Sequence, residues 1–111
     1  LARLRMQRRL RAKVKGTVRL TGDHIVFRNS EVYGHMPGGN DTVVMASGNN
    51  IFITKNHIHD NGNMDLAVEN DVHGVSAGNG TKQVWVLENE LNRNSGDGVQ
   101  VGHGHTPGAT E

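Results

Sequence analysis

Two stretches, Asn50 to Asn61 and Gln83 to Asn94, carry the same polarity pattern 33 residues apart. Ile51, Ile53, Asn56, Ile58 and Asn61 coincide with Val84, Val86, Asn89, Leu91 and Asn94, so apolar positions and both Asn positions agree. A weaker copy, His24 to Val32, lies 26 residues upstream of the first and has Ser30 where the Asn would stand. Short alternating strands that return at such an interval, between Asn and Gly corners, have too little apolar surface to bury alone. Stacked, they share one continuous core. The repeat predicts an all-β chain wound as a parallel β-helix, a solenoid of about three coils.

That winding sets expectations for individual residues. Ile25 and Phe27, Ile51 and Ile53, and Val84 and Val86 point inward, followed after a corner by the column Val32, Ile58 and Leu91. Ser30, Asn56 and Asn89 stack at that corner, where side-chain amides bond along the ladder, and Asn61 and Asn94 form a second, shorter one. Thr21-Gly22-Asp23 and Ser47-Gly48-Asn49 are equivalent corners. For the third strand of each coil, the 33-residue offset aligns Val99 and Val101 with Leu66 and Val68, and the upstream partner is Val43 and Met45, reached after an expanded loop. Residues 34–41 then form an expanded loop, and 69–82 the longest irregular segment.

Composition agrees with many tight corners: the chain has 15 Gly and few aromatics, and twelve Asn, a residue tolerant of left-handed backbone angles. At 111 residues it has room for one domain with a modest core. No long apolar run suggests a membrane span or a signal peptide. Leu1 in place of Met gives the look of a processed or excised piece. Absence of Cys removes disulfide and thiol chemistry.

The formal charge of +1 hides a split. Residues 1–20 hold eight Lys or Arg and no acid, leaving four basic and eleven acidic residues, a balance of −7, for the remainder. Alternation of Leu4, Met6, Leu10, Ala12, Val14 and Val18 with basic residues reads as one or two strands, with a short amphipathic cap helix as the competing reading. The organisation is therefore a basic strand or cap over 1–20, coils over 21–102, and a terminal loop or start of a further coil over 103–111. The C-terminal end of the coil stack reads as open, so completion by further coils, another copy or a partner chain is expected.

Chemistry would sit on outward columns and projecting loops. Phe52 and Trp85 share an outward column with Val26, a strip able to stack on sugars or bases or to be covered by protein. Asp60 and Arg93 are equivalent and suit a cross-strand ion pair, while Glu31, His57 and Glu90 form a mixed polar column. Asp65, Glu69, Asp71 and Asp97, near the third-strand ends, form the candidate set for Ca²⁺, which prefers hard oxygen ligands. His57 and His59 share one side of a strand, with His73, His103 and His105 elsewhere. The first two flank the inward Ile58 with no Cys nearby; His103-Gly104-His105 could chelate zinc with His73 approaching from the loop, but surface histidines are the preferred reading.

The Asn-x-Ile-x-x-Asn pattern, with Asn94-Ser-Gly-Asp-Gly-Val-Gln100, resembles repeats of the pectate-lyase-like right-handed parallel β-helix superfamily across roughly residues 16–102. This resemblance implies a secreted or cell-surface protein acting on an acidic, uronate-containing polysaccharide, as a lyase or C5-epimerase. Members also include glycoside hydrolases and non-catalytic surface proteins, so a carbohydrate-binding or structural scaffold is the alternative. Under the enzyme reading, Lys82 and Arg93 are the candidate proton-abstracting groups, with the carboxylates Asp65 and Asp97, although no family motif fixes them. Phe52, Trp85, His57, Glu90 and Asp60 are the candidate ligand contacts. Nucleic-acid binding rests only on the basic head and is the least supported class.

Overall fold

A computed structural model describes residues 12–65, 70–78 and 80–101. It contains eleven short strands: β1 (Ala12–Lys15), β2 (Val18–Thr21), β3 (Ile25–Arg28), β4 (Ser30–Tyr33), β5 (Asp41–Ser47), β6 (Asn49–Thr54), β7 (His57–Asn61), β8 (Val72–Ala77), β9 (Lys82–Leu87), β10 (Glu90–Asn94) and β11 (Val99–Val101). Each strand pairs in parallel with the strand three places along. Sheet I is β1-β4-β7-β10, sheet II is β2-β5-β8-β11, and sheet III is β3-β6-β9. The chain is thus all-β, built of three-strand cycles that feed three parallel sheets. Among the described residues, no helix is long and apolar enough to cross a membrane.

The repeat read from the sequence is the register of sheets I and III. Ile25 pairs with Ile51 and Ile51 with Val84; Phe27 pairs with Ile53 and Ile53 with Val86. In sheet I, Val14, Val32, Ile58 and Leu91 lie in one row. These rows meet the sheet II row of Val18, Val44 and Val75 around a shared interior, and Val99, next in that row, is exposed. Val32, Ile51, Ile53, Ile58, Val43, Val44 and Val72 are fully buried, each contributing about 1.5–3 kcal/mol relative to an exposed side chain. In the described part of the basic segment the strand reading holds, since Leu20 is buried and Val14 and Val18 pack against the core. Residues 1–11 and 102–111, including His103 and His105, lie outside the described residues.

Corners between sheets III and I are short and alike. Asn29, Lys55 and Glu88 take left-handed φ of 56°, 57° and 57°, and Ser30, Asn56 and Asn89 follow them. Asn56 Oδ1 accepts the Ser30 amide N–H at 3.0 Å, and Asn89 Oδ1 accepts the Asn56 amide at 3.0 Å. The Asn56 side-chain amide donates to Phe27 O and to Asn89 Oδ1, while that of Asn89 donates to Ile53 O. The second ladder also forms, Asn61 donating to Asn94 Oδ1 at 2.8 Å. Backbone groups turned away from the sheets by the bend are thereby satisfied. No buried side-chain nitrogen or oxygen lacks a partner among the described residues.

Sheet II departs from the sequence expectation. Val99 pairs with Val75 and Val101 with Ala77, so the third strand of the middle cycle is β8, inside the segment expected to be irregular. Leu66 and Val68 lie outside the described residues. Upstream, Val44 rather than Val43 faces Val75, and Met45 faces Ser76. The reason is turn length. Between sheets I and II the chain spends residues 16–17, 34–40, 62–71 and 95–98 in successive cycles. A long turn before β8 and a short one before β11 make the local offset 24 residues (99 − 75) instead of 33.

Candidate functional site: a polar groove on sheet II and a histidine–carboxylate ladder on sheet I

The unequal turns between sheets I and II flank a groove of about 720 Å³ on the outer side of sheet II. Its lining includes Asp41, Thr42, Asp71, His73, Asp97 and Gln100, and the buried Ser76. Residues of three cycles converge here. Asp41 opens β5, Asp71 immediately precedes β8, and Asp97 stands in the short turn before β11. Register puts Asp97 beside His73, whose Nδ1 accepts the Asp97 backbone N–H at 2.9 Å, so any ring proton in that arrangement is on Nε2. Thr42 and Ser76 hydroxyls meet at 2.7 Å.

Asp41 is held from two sides. His35 Nε2 reaches one oxygen at 2.7 Å and Arg19 Nη2 the other at 3.3 Å, while Arg19 Nη1 donates to Thr42 O at 2.9 Å. Partial burial pushes the Asp41 carboxyl up, but the His35 hydrogen bond, the Thr42 amide and the Arg19 charge together hold it below its ordinary range.

On sheet I the outward side chains form two polar rows across the strands. One runs Lys13, Glu31, His57 and Glu90; the other runs Lys15, Tyr33, His59 and Asn92. Glu31 Oε2 lies 2.7 Å from His59 Nε2, and Asp60 bonds the opposite nitrogen, Nδ1. Asp60 is in turn paired with Arg93 through its other oxygen. His57 Nε2 lies 3.0 Å from Asn92 Oδ1 and 3.3 Å from Glu90 Oε2. The His57 and His59 rings stack with centroids 4.0 Å apart, and Tyr33 also stacks with His59, at 5.8 Å.

The His59 hydrogen bond, with the charges of Lys13 and both histidines, holds Glu31 below its ordinary range against the opposing effect of burial. Burial pushes His59 down, but hydrogen bonds to Asp60 and Glu31 and their negative charges outweigh it and raise its pKa. The His59 hydrogen bond and the Arg93 charge likewise keep Asp60 low.

No protein-family model matches the chain, and neither the curated proteins nor the solved structures give a match. Function is therefore argued from the site itself.

The structure distributes the sequence-derived candidates over three faces. Asp71 and Asp97 share the groove, whereas Asp65 is not part of its lining and Glu69 lies outside the described residues. Among the described residues, Asp65, Asp71 and Asp97 do not gather into a three-carboxylate cluster. Lys82 opens β9 on sheet III, paired with Asn49, and Arg93 is engaged with Asp60 on sheet I. The groove lining contains no Lys or Arg among the described residues.

Phe52 and Trp85 do meet, stacked at 4.4 Å with their planes 9° apart, but on sheet III. His57 and Glu90 meet on sheet I, and Asp60 lies on the same sheet, paired with His59 and Arg93. Sequence reasoning paired Asp60 with Arg93 and placed Glu31, His57 and Glu90 in one column, as observed. It missed His59 as the link between those two sets. The signal was present: His57 and His59 alternate with the inward Ile58, and the 26-residue offset carries Glu31 and Tyr33 to them. The groove residues Asp41, His73 and Gln100 were missed because the turn lengths hid their register.

Proposed function

We propose that this chain is a segment of a right-handed parallel β-helix of the pectate-lyase-like kind, serving as a secreted or cell-surface scaffold that binds glycan without cleaving it. The observation that carries this reading is the polar groove on sheet II, about 720 Å³ in volume and lined by carboxylates, hydroxyls, an imidazole and two amides. Such groups accept from and donate to the hydroxyls of a sugar chain, and the volume falls in the usual range of ligand sites. Two features favour a binder over a uronate lyase or epimerase. Asp71 and Asp97 repel a uronate carboxylate, and no groove-lining Lys or Arg among the described residues is placed to abstract a sugar C5 proton. A neutral, hydroxyl-rich oligosaccharide is the better partner. Further coils, a second copy or a partner chain would cover the partly exposed inner row of Val84, Val86, Leu91 and Val99.

Calorimetric titration of the intact chain with neutral oligosaccharides and with oligouronates, alongside an assay for unsaturated products, tests the proposal. Binding of a neutral oligosaccharide, weakened by Asp97→Asn and by Gln100→Ala with no product formed, is the expected result. Unsaturated product that disappears in Lys82→Ala would restore the lyase reading and end this one.

A further inference from the structure

We propose that Glu31, His57 and His59 on the outer face of sheet I form a binding site for a divalent transition metal of the zinc class, separate from the groove. One ligating atom from each residue lies within 4.8 Å of the other two. Bound zinc would draw three such donors to about 3.3 Å from one another, the edge of a tetrahedron with metal–ligand bonds near 2.0–2.1 Å. The Glu31–His59 pair, now at 2.7 Å, opens by a few tenths of an ångström as the metal takes the place of the proton between them. His57 closes in by at most about 1.5 Å. These are side-chain movements on a face that is only partly covered. The side chains of His59, Glu31 and His57 are 15%, 20% and 30% exposed, within reach of an entering ion.

The surroundings supply what a metal-binding imidazole needs. Asp60 occupies Nδ1 of His59, which fixes the ring and leaves Nε2 as the donor toward Glu31. A carboxylate behind a ligating histidine sets its tautomer and strengthens its basicity. Arg93 anchors that carboxylate in turn, while Glu90 and Asn92 hold the His57 ring. Two imidazoles and one carboxylate favour zinc, cobalt, nickel or copper over calcium or magnesium. Three protein ligands leave a fourth position for water or for an oxygen of a bound molecule.

Titration of the full chain with Co²⁺, read by its visible absorption, tests the site. Expected are bands of a four-coordinate ion at 1:1 stoichiometry, lost on addition of Zn²⁺. Asp60→Asn should weaken Co²⁺ binding by roughly 10–100-fold, and His59→Asn by more than that. Glu31→Gln keeps the shape and hydrogen-bonding capacity of the side chain while removing the anionic ligand, and circular dichroism identifies any variant that fails to fold. His35→Asn, His73→Asn and the double variant His103→Asn/His105→Asn should bind as the parent does. The proposal is overturned if the folded parent gives no 1:1 signal, if folded Glu31→Gln and His59→Asn bind undiminished, or if the terminal histidine pair carries the signal.

Discussion

The corners between sheets III and I and the turns between sheets I and II lie at the two ends of the same strands, yet they obey different constraints. At the former, one left-handed residue and one Ser or Asn recur in every described cycle, with their polar atoms bonded up and down the ladder. A longer chain there would break the ladder and leave buried amides without partners. At the latter, the turn runs from two residues (16–17) to ten (62–71), and the sheet II pairing absorbs the difference. Constancy at one edge keeps the sheets in register, and freedom at the other creates the groove. Stability is concentrated where length is fixed, and ligand-facing variety where it is not.

The comparison breaks most severely at Asn56, which is only 3% exposed. Asn56→Ala leaves the Ser30 amide, the Phe27 carbonyl and the Asn89 side chain short of partners. At about 1–3 kcal/mol for each buried group left unpaired, a loss of about 3–5 kcal/mol is expected in urea denaturation. Asn40→Ala, in the variable turn, removes a single exposed acceptor for the Asp71 amide and should cost under about 1 kcal/mol. Equal losses would erase the distinction between the two edges.

A smaller effect is expected from adding one methyl group. At Gly48, in the one-residue corner between β5 and β6, a Cβ would stand 1.7 Å from the Gly22 carbonyl oxygen. Both partners are backbone, so Gly48→Ala should cost about 2–3 kcal/mol and lower the melting temperature accordingly. Gly38→Ala, in the 34–40 turn, meets nothing within 4 Å and bears only its left-handed φ of 76°, about 1–2 kcal/mol. The same thermal melts rank the pair.

The mildest test uses acid. Because the folded state holds the Asp41 carboxyl below its ordinary pKa, its contribution is present above the unfolded value, near pH 4, and is lost as pH falls through the lower folded value. Asp41→Asn should therefore narrow the stability difference between neutral and strongly acidic solution, measured by denaturation across that interval. An unchanged acid profile would mean that Arg19 and His35 do not favour the ionised Asp41 in solution.

Legibility followed the same division. The inner rows of sheets I and III, both Asn ladders, the Phe52–Trp85 stack and the Asp60–Arg93 pair could be read from the chain, because at each step one offset, 26 and then 33 residues, holds for both sheets. Sheet II could not. Carrying the 33-residue offset past the turn at 62–71 set Val99 against Leu66, whereas the fold sets it against Val75. Asp97 accordingly belongs beside His73, and among the described residues it does not cluster with Asp65 and Asp71. His59 was legible as an outward neighbour of His57, but its clasp between Glu31 and Asp60 depends on ring orientation, which strand alternation leaves open.

By itself, then, the sequence determined which side chains face inward and which amides stack, since alternation and a repeated interval are enough to specify neighbours in a parallel sheet. Tertiary structure decided which turns lie side by side, where the groove opens, and that two histidines and a glutamate share one small volume. Those outcomes depend on loop lengths and side-chain torsions, and both are settled only when all three sheets close on a common interior.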